Sequence, residues 1–112
     1  MLASARAARR TIATRTATAH AKARIHRNHG GSLITHAIEA GLPIREARSV
    51  AGSLRTSAKR LGVTGRTVQV RRHGHTRDFA IYTPAEVALI ATNYRPRKPA
   101  YKTARQHLLL AA

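Results

Sequence analysis

The chain has 112 residues and a formal charge of +17 with its histidines neutral, and it contains no cysteine and no tryptophan. That length accommodates one compact domain with basic extensions and no second core, and the lack of cysteine excludes disulfides and thiolate metal sites. Only Glu39, Glu46, Asp78 and Glu86 are acidic, against 21 lysines and arginines, so most cations lack an internal partner and a polyanion is their natural counterpart.

Residues 1–31 carry Arg6, Arg9, Arg10, Arg15, Lys22, Arg24 and Arg27, no acid, and mostly Ala, Thr and His between them. So little bulky apolar surface cannot offset the entropy of ordering, which predicts a flexible or weakly helical arm that settles on phosphate and ends near Gly30-Gly31. The same Arg-rich, acid-free composition also fits a mitochondrial transit peptide, which would place the protein in the matrix rather than the cytoplasm.

From Ser32 to about residue 95 the pattern is that of a folded domain. Ser32 is suited to cap a short helix with Ile34, Ala37 and Ile38 on one side, stopped by Gly41-Leu42-Pro43. Ile44, Ala47, Val50, Ala51, Leu54, Ala58 and Leu61 then recur at helical spacing, with Arg45, Arg48, Arg55, Lys59 and Arg60 on the opposite arc. Pro43 suits the entry of this helix and Gly62 its exit, while Gly52-Ser53 leaves open a division into two helices.

After Gly65 the period changes from 3.6 to 2. Val68 and Val70 alternate with polar residues, as do Phe79 and Ile81, around a polar turn at His73-Gly74-His75-Thr76, which predicts a β-hairpin with a basic tip. Thr83-Pro84-Ala85-Glu86 reads as a capping box opening a helix with Val87, Ile90, Ala91 and Tyr94 on one face. Arg95 to Pro99 ends it, and residues 96–112 read as a basic linker and then a short helix with Tyr101, Ala104 and Leu108 aligned, or an unpacked tail. Leu108-Leu109-Leu110 is costly to leave in water, so that helix is expected to dock or to meet a second copy in a homodimer.

The expected fold is therefore α+β, mainly α: a winged-helix-like domain of three helices and a hairpin, with an N-terminal arm and a C-terminal helix. The run Ala58-Lys59-Arg60-Leu61-Gly62-Val63-Thr64-Gly65-Arg66-Thr67-Val68 resembles the helix-turn-helix of bacterial and phage regulators, in its Ala, three residues, Gly, then Val, with Thr-Val further on. The resemblance implies binding of double-stranded DNA. In the usual register it would make Arg66 to Arg72 a recognition helix with Arg66, Gln69 and Arg72 at base edges. The alternation of Val68, Val70, Phe79 and Ile81 favours the winged version, in which the basic face of the long helix enters the major groove and the hairpin lies on phosphates or probes the minor groove.

The candidate contact residues are Arg45, Arg48, Arg55, Lys59 and Arg60 on the helix, and Arg66, Gln69, Arg71, Arg72, His73, His75 and Arg77 on or beside the hairpin. Arginine can grip guanine bidentately, and long side chains are needed to reach groove floors and phosphates. His26 with His29, and His73 with His75, have spacings that metal sites use, but neither pair has a cysteine or an acid nearby, so no metal or other cofactor is expected. Gly62-Val63-Thr64-Gly65 has the spacing of a KH-type clamp for single strands, yet a strand-like run follows where a helix is required. The scattered acids exclude a carboxylate-held metal for nuclease chemistry, and no phosphate loop or nucleophile elbow is present, so enzymatic activity is not expected. The expected function is sequence-specific binding of duplex DNA in the cytoplasm, on the nucleoid, by a small transcriptional regulator or excision factor with no membrane partner. The alternatives are an RNA-binding structural component of a ribosome or other ribonucleoprotein, and a non-specific nucleoid protein.

Overall fold

The computed structural model describes residues 2–111 and is α+β, mainly helical. Among these residues the order is α1 (Leu2–Asn28), α2 (Leu33–Glu39), α3 (Ile44–Leu61), β1 (Arg66–Arg72), β2 (His75–Ile81), α4 (Pro84–Thr92) and α5 (Pro99–Leu110). α2 lies between α1 and α3, and α4 packs on both α3 and α5.

Residues 2–28, expected to be flexible or weakly helical, form one continuous helix of 27 residues. Its alanines have the highest helix propensity and its arginines are good helix formers, so the backbone favours this state before any packing. Packing then fixes the C-terminal half: Ala21 is buried, Thr14, Thr18 and Ile25 are half-buried on the same side, and the Thr18 hydroxyl donates to the carbonyl of Ile38 at 3.1 Å. Residues 3–13 are exposed on every side, so this part of the helix stands free of the body.

Ser32 caps α2 by accepting from the Thr35 amide at 3.2 Å. α3 runs unbroken through Gly52-Ser53 and ends at Gly62, whose left-handed φ of 71° lets the amide of Val63 reach the carbonyl of Ala58 at 3.0 Å. Its buried side is Ala47, Val50, Ala51, Leu54, Ser57 and Ala58. The apolar stripe is shorter than its periodicity suggests, because Ile44 and Leu61 at the two ends project past the packed helices and are 60% and 42% exposed. Thr83 and Glu86 form the reciprocal capping box, at 3.2 Å and 3.0 Å, with Pro84 at the start of α4.

The core joins α2, α3, α4 and α5 around Leu54, Ile90, Leu108, Val50 and Val87, all essentially fully buried. Ala104 and Leu108 of α5 thus face inward, whereas Leu110 remains 82% exposed. Burying a side chain of this size stabilises by roughly 1.5–3 kcal/mol relative to leaving it in water.

β1 and β2 form a two-stranded antiparallel hairpin, with Val68 opposite Phe79 and Arg72 opposite His75. His73 and Gly74 make the turn with φ of 50° and 77°, the two positive values that a two-residue turn of type I′ requires. Residues 66–72 are therefore strand and not a recognition helix, since the alternation of Val68 and Val70 outweighs the helix-turn-helix register there. The base of the hairpin is tied to the body at two points. Gly31 and Tyr82 exchange backbone hydrogen bonds at 3.0 and 2.8 Å, and Arg66 Nη2 donates to the carbonyl of Asn28 at 3.0 Å, satisfying the exposed C-terminal end of α1.

Candidate nucleic-acid interface

Because α3 buries one side against α2 and α4, the remaining arc is presented to solvent as a rigid rod. Arg45, Arg48, Arg55 and Lys59 all lie on it, and all are exposed. At 3.6 residues per turn they surround one residue, Gly52: Arg48 and Arg55 are one turn away on either side, and Arg45 and Lys59 two turns. Ser49 and Thr56 add hydroxyls to the same ring, and Thr56 Oγ1 bonds the carbonyl of Gly52 at 3.3 Å. A Cβ at Gly52 would meet nothing within 4 Å, so no contact inside the protein requires glycine there. The centre of the basic arc is bare backbone.

Arg60 is separated from this group. It lies toward the other edge of α3, beside a hollow shared with Asn93, Tyr94 and Arg95. Arg55 instead faces the hairpin, lining a groove of about 290 Å³ with Ser32, Asp78 and Phe79. The long helix and the hairpin thus meet at Arg55.

The register divides the hairpin residues between two faces. Arg66, Arg72, His75 and Arg77 share one face with Val68, Val70, Phe79 and Ile81, while Gln69 and Arg71 occupy the other, with Gln69 directly opposite Asp78. His73 is in the turn. Each of these polar side chains is exposed, and the sequence-expected contact set is therefore distributed over α3, two hairpin faces and a turn.

The arginines expected to settle on phosphate as part of a flexible or weakly helical arm stand on a regular helix, α1. Arg6, Arg9, Arg10, Arg24 and Arg27 fall on one side of the helix, and Arg24 lies across a cleft from Arg72. The signal was available in the sequence as a helical repeat of arginines, but it becomes meaningful only once the segment is helical.

The acids do not offset this charge. Glu39 contacts His107 at 3.0 Å, Glu86 is held in the α4 cap, and Glu46 lies in the first turn of α3 away from the basic arc. Among the described residues no lysine or arginine approaches a carboxylate within 4 Å. Nor do these residues contain a group of three or more His, Asp or Glu side chains able to hold a metal ion, and none of their helices is long and apolar enough to cross a membrane. His36 is the one histidine buried in the body; its burial pushes its pKa below the usual value of 6.5, partly countered by its hydrogen bond to the Tyr82 carbonyl.

Comparison of the chain with protein-family models, with curated proteins and with solved structures gives no match.

Proposed function

We propose that this protein binds double-stranded DNA sequence-selectively through a winged-helix arrangement, as a small regulator or excision factor of the bacterial and phage kind. The observation that carries this reading is the outer arc of α3: Arg45, Arg48, Arg55 and Lys59 around an exposed glycine, with no carboxylate paired to any of them. An α-helix fits the major groove, where arginine can bind guanine bidentately. Bare backbone at Gly52 lets the groove edge come closer than a side chain would permit.

In this mechanism α3 supplies base contacts, with Arg55, Arg48 and Lys59 foremost. The hairpin, fixed by Gly31 and Arg66, sets Arg71, Arg72, His73, His75 and Arg77 on the flanking phosphates, which position the protein without reading sequence. The free-standing half of α1 adds sequence-independent affinity through Arg6, Arg9 and Arg10. Such a protein acts by occupying or bending its site on the nucleoid, as a dimer where half-sites are paired, and needs no cofactor and no catalysis.

A basic helix projecting from a small body also suits a component of a ribonucleoprotein, in which such extensions thread between RNA helices. The two are separated by competition at ~0.15–0.2 M salt between sheared genomic duplex and total cellular RNA, where weak electrostatic binding is suppressed. Recovery of a few discrete duplex sites supports a regulator. Preferential retention of structured RNA overturns it, and indiscriminate retention of duplex indicates a nucleoid-compacting protein.

A further inference from the structure

The inner face of the hairpin is half apolar and unpartnered. Val68 and Val70 are only half-buried there and Phe79, the one phenylalanine of the chain, is 38% exposed. A lone two-stranded hairpin needs something packed on its apolar face to be firmly ordered. Facing it across a cleft of about 260 Å³ are Arg24 and Asn28 of α1, with Val70, Arg72, Phe79 and Ile81 on the hairpin side. The cleft therefore combines an aromatic and aliphatic wall with a guanidinium on each side.

We propose that this cleft holds an unpaired nucleotide, its base against Phe79, Val70 and Ile81 and its phosphate between Arg24 and Arg72. Size and charge select this occupant. A volume of about 260 Å³ admits a base and excludes a duplex. A second copy of the same face would bring Arg66, Arg72, His75 and Arg77 of both chains together with no acid between them, and like charges so placed repel. A nucleotide supplies both halves of the complement, a π-face for stacking and an anion for the arginines.

Phe79 also lines the neighbouring groove that contains Arg55. A strand leaving the duplex held on α3 would pass directly onto Phe79, which makes the preferred partner a junction between duplex and single strand. The proposal deepens the duplex reading and rests on it for that junction geometry alone.

The test uses fluorescence anisotropy of the full chain at ~0.15 M salt with a blunt duplex, the same duplex carrying a short single-stranded overhang, and the overhang alone. Vesicles of phosphatidylglycerol and phosphatidylcholine serve as a second anionic probe. The overhang should tighten binding by roughly tenfold over the blunt duplex. Phe79→Leu, which keeps the hairpin face apolar, should remove that gain and leave blunt-duplex affinity unchanged, whereas Phe79→Tyr should retain it and Arg72→Gln should diminish it. Equal affinity for blunt and overhang probes, or a gain that survives Phe79→Leu, overturns the proposal, as does vesicle binding that depends on Phe79 in a protein with no overhang preference. Arg48→Glu separates the two readings. If it leaves blunt-duplex binding intact while the overhang gain still depends on Phe79, the duplex reading falls and the cleft stands; if it abolishes blunt binding and no overhang gain exists, the reverse holds.

Discussion

His36 Nε2 lies 2.7 Å from the carbonyl oxygen of Tyr82, 46 residues further along the chain. The imidazole N–H donates to an oxygen that also accepts from the amide of Gly31, so one buried carbonyl joins α2, the glycine link and the root of the hairpin.

That contact predicts how stability responds to acid. Burial holds the pKa of His36 below 6.5 in the folded protein, against the Tyr82 hydrogen bond and the nearby charges of Glu39 and Glu86. A depressed histidine pKa means that the unfolded chain binds the proton first. The stability contributed by neutral His36 is thus complete above pH ~6.5 and is lost as pH falls toward the folded pKa. Lys22, Glu39 and His107 border the same hollow as His36. Thermal unfolding of the isolated protein should show Tm falling between pH 7 and 5, and His36→Gln, which offers a neutral donor, should be less stable at pH 8 but flatter over that range. Parallel curves for the two proteins would place the titration elsewhere.

The parts of the fold legible in the sequence are those where a local rule and the tertiary structure agree. Thr83 to Glu86 carries its cap in four consecutive residues, Gly62 ends α3 because glycine takes up the left-handed exit without steric cost, and Val68, Val70, Phe79 and Ile81 alternate because the hairpin presents two unlike faces. α1 is not legible as a firm helix: of its packed stripe Thr14, Thr18 and Ala21 are small or polar and Ile25 alone is bulky and apolar, so the stripe has little hydrophobic contrast, and the helix rests instead on the propensity of alanine and arginine. Ile44 and Leu61 fit the periodicity of α3 but lie beyond the elements that cover it. For the candidate interface, periodicity places Arg45, Arg48, Arg55 and Lys59 on one exposed arc of α3, but the separation of Arg60, the two hairpin faces and the place of Arg24 depend on register and tertiary contact.

Gly52→Ala should move stability and binding in opposite directions. The helix interior loses about 1 kcal/mol by carrying glycine in place of alanine, and the added methyl has open space around it. Tm should therefore rise by about 4 °C for a domain of this size. If a groove edge approaches bare backbone at Gly52, the same methyl weakens duplex binding, and Gly52→Gln weakens it further. A variant that is more stable and binds duplex equally well would show that the nucleic acid does not contact the centre of the α3 arc.

Arg55 and Arg6 should fail differently when reversed in charge. Arg55 stands where the long helix meets the hairpin, on an element packed against the core, so a contact it makes is held rigidly relative to the body of the protein. Arg55→Glu should abolish preference for the specific site, removing about 1–3 kcal/mol or more of discrimination. Arg6 stands on the exposed stretch of α1 over residues 3–13, with no buried neighbour to hold it, so it can neutralise a phosphate but cannot be fixed against one base. Arg6→Glu should weaken specific and non-specific duplex about equally, and should lower the slope of log K against log salt by about one unit. Deleting residues 1–12, which removes Arg6, Arg9 and Arg10 together, should lower that slope by roughly three and leave Tm nearly unchanged, because none of the side chains described in that stretch is buried. Titrations on specific and random duplex at several salt concentrations between ~0.05 and 0.3 M measure both quantities. Equal losses of specificity from Arg55→Glu and Arg6→Glu would mean that α3 contributes charge alone and that sequence is read elsewhere on the molecule.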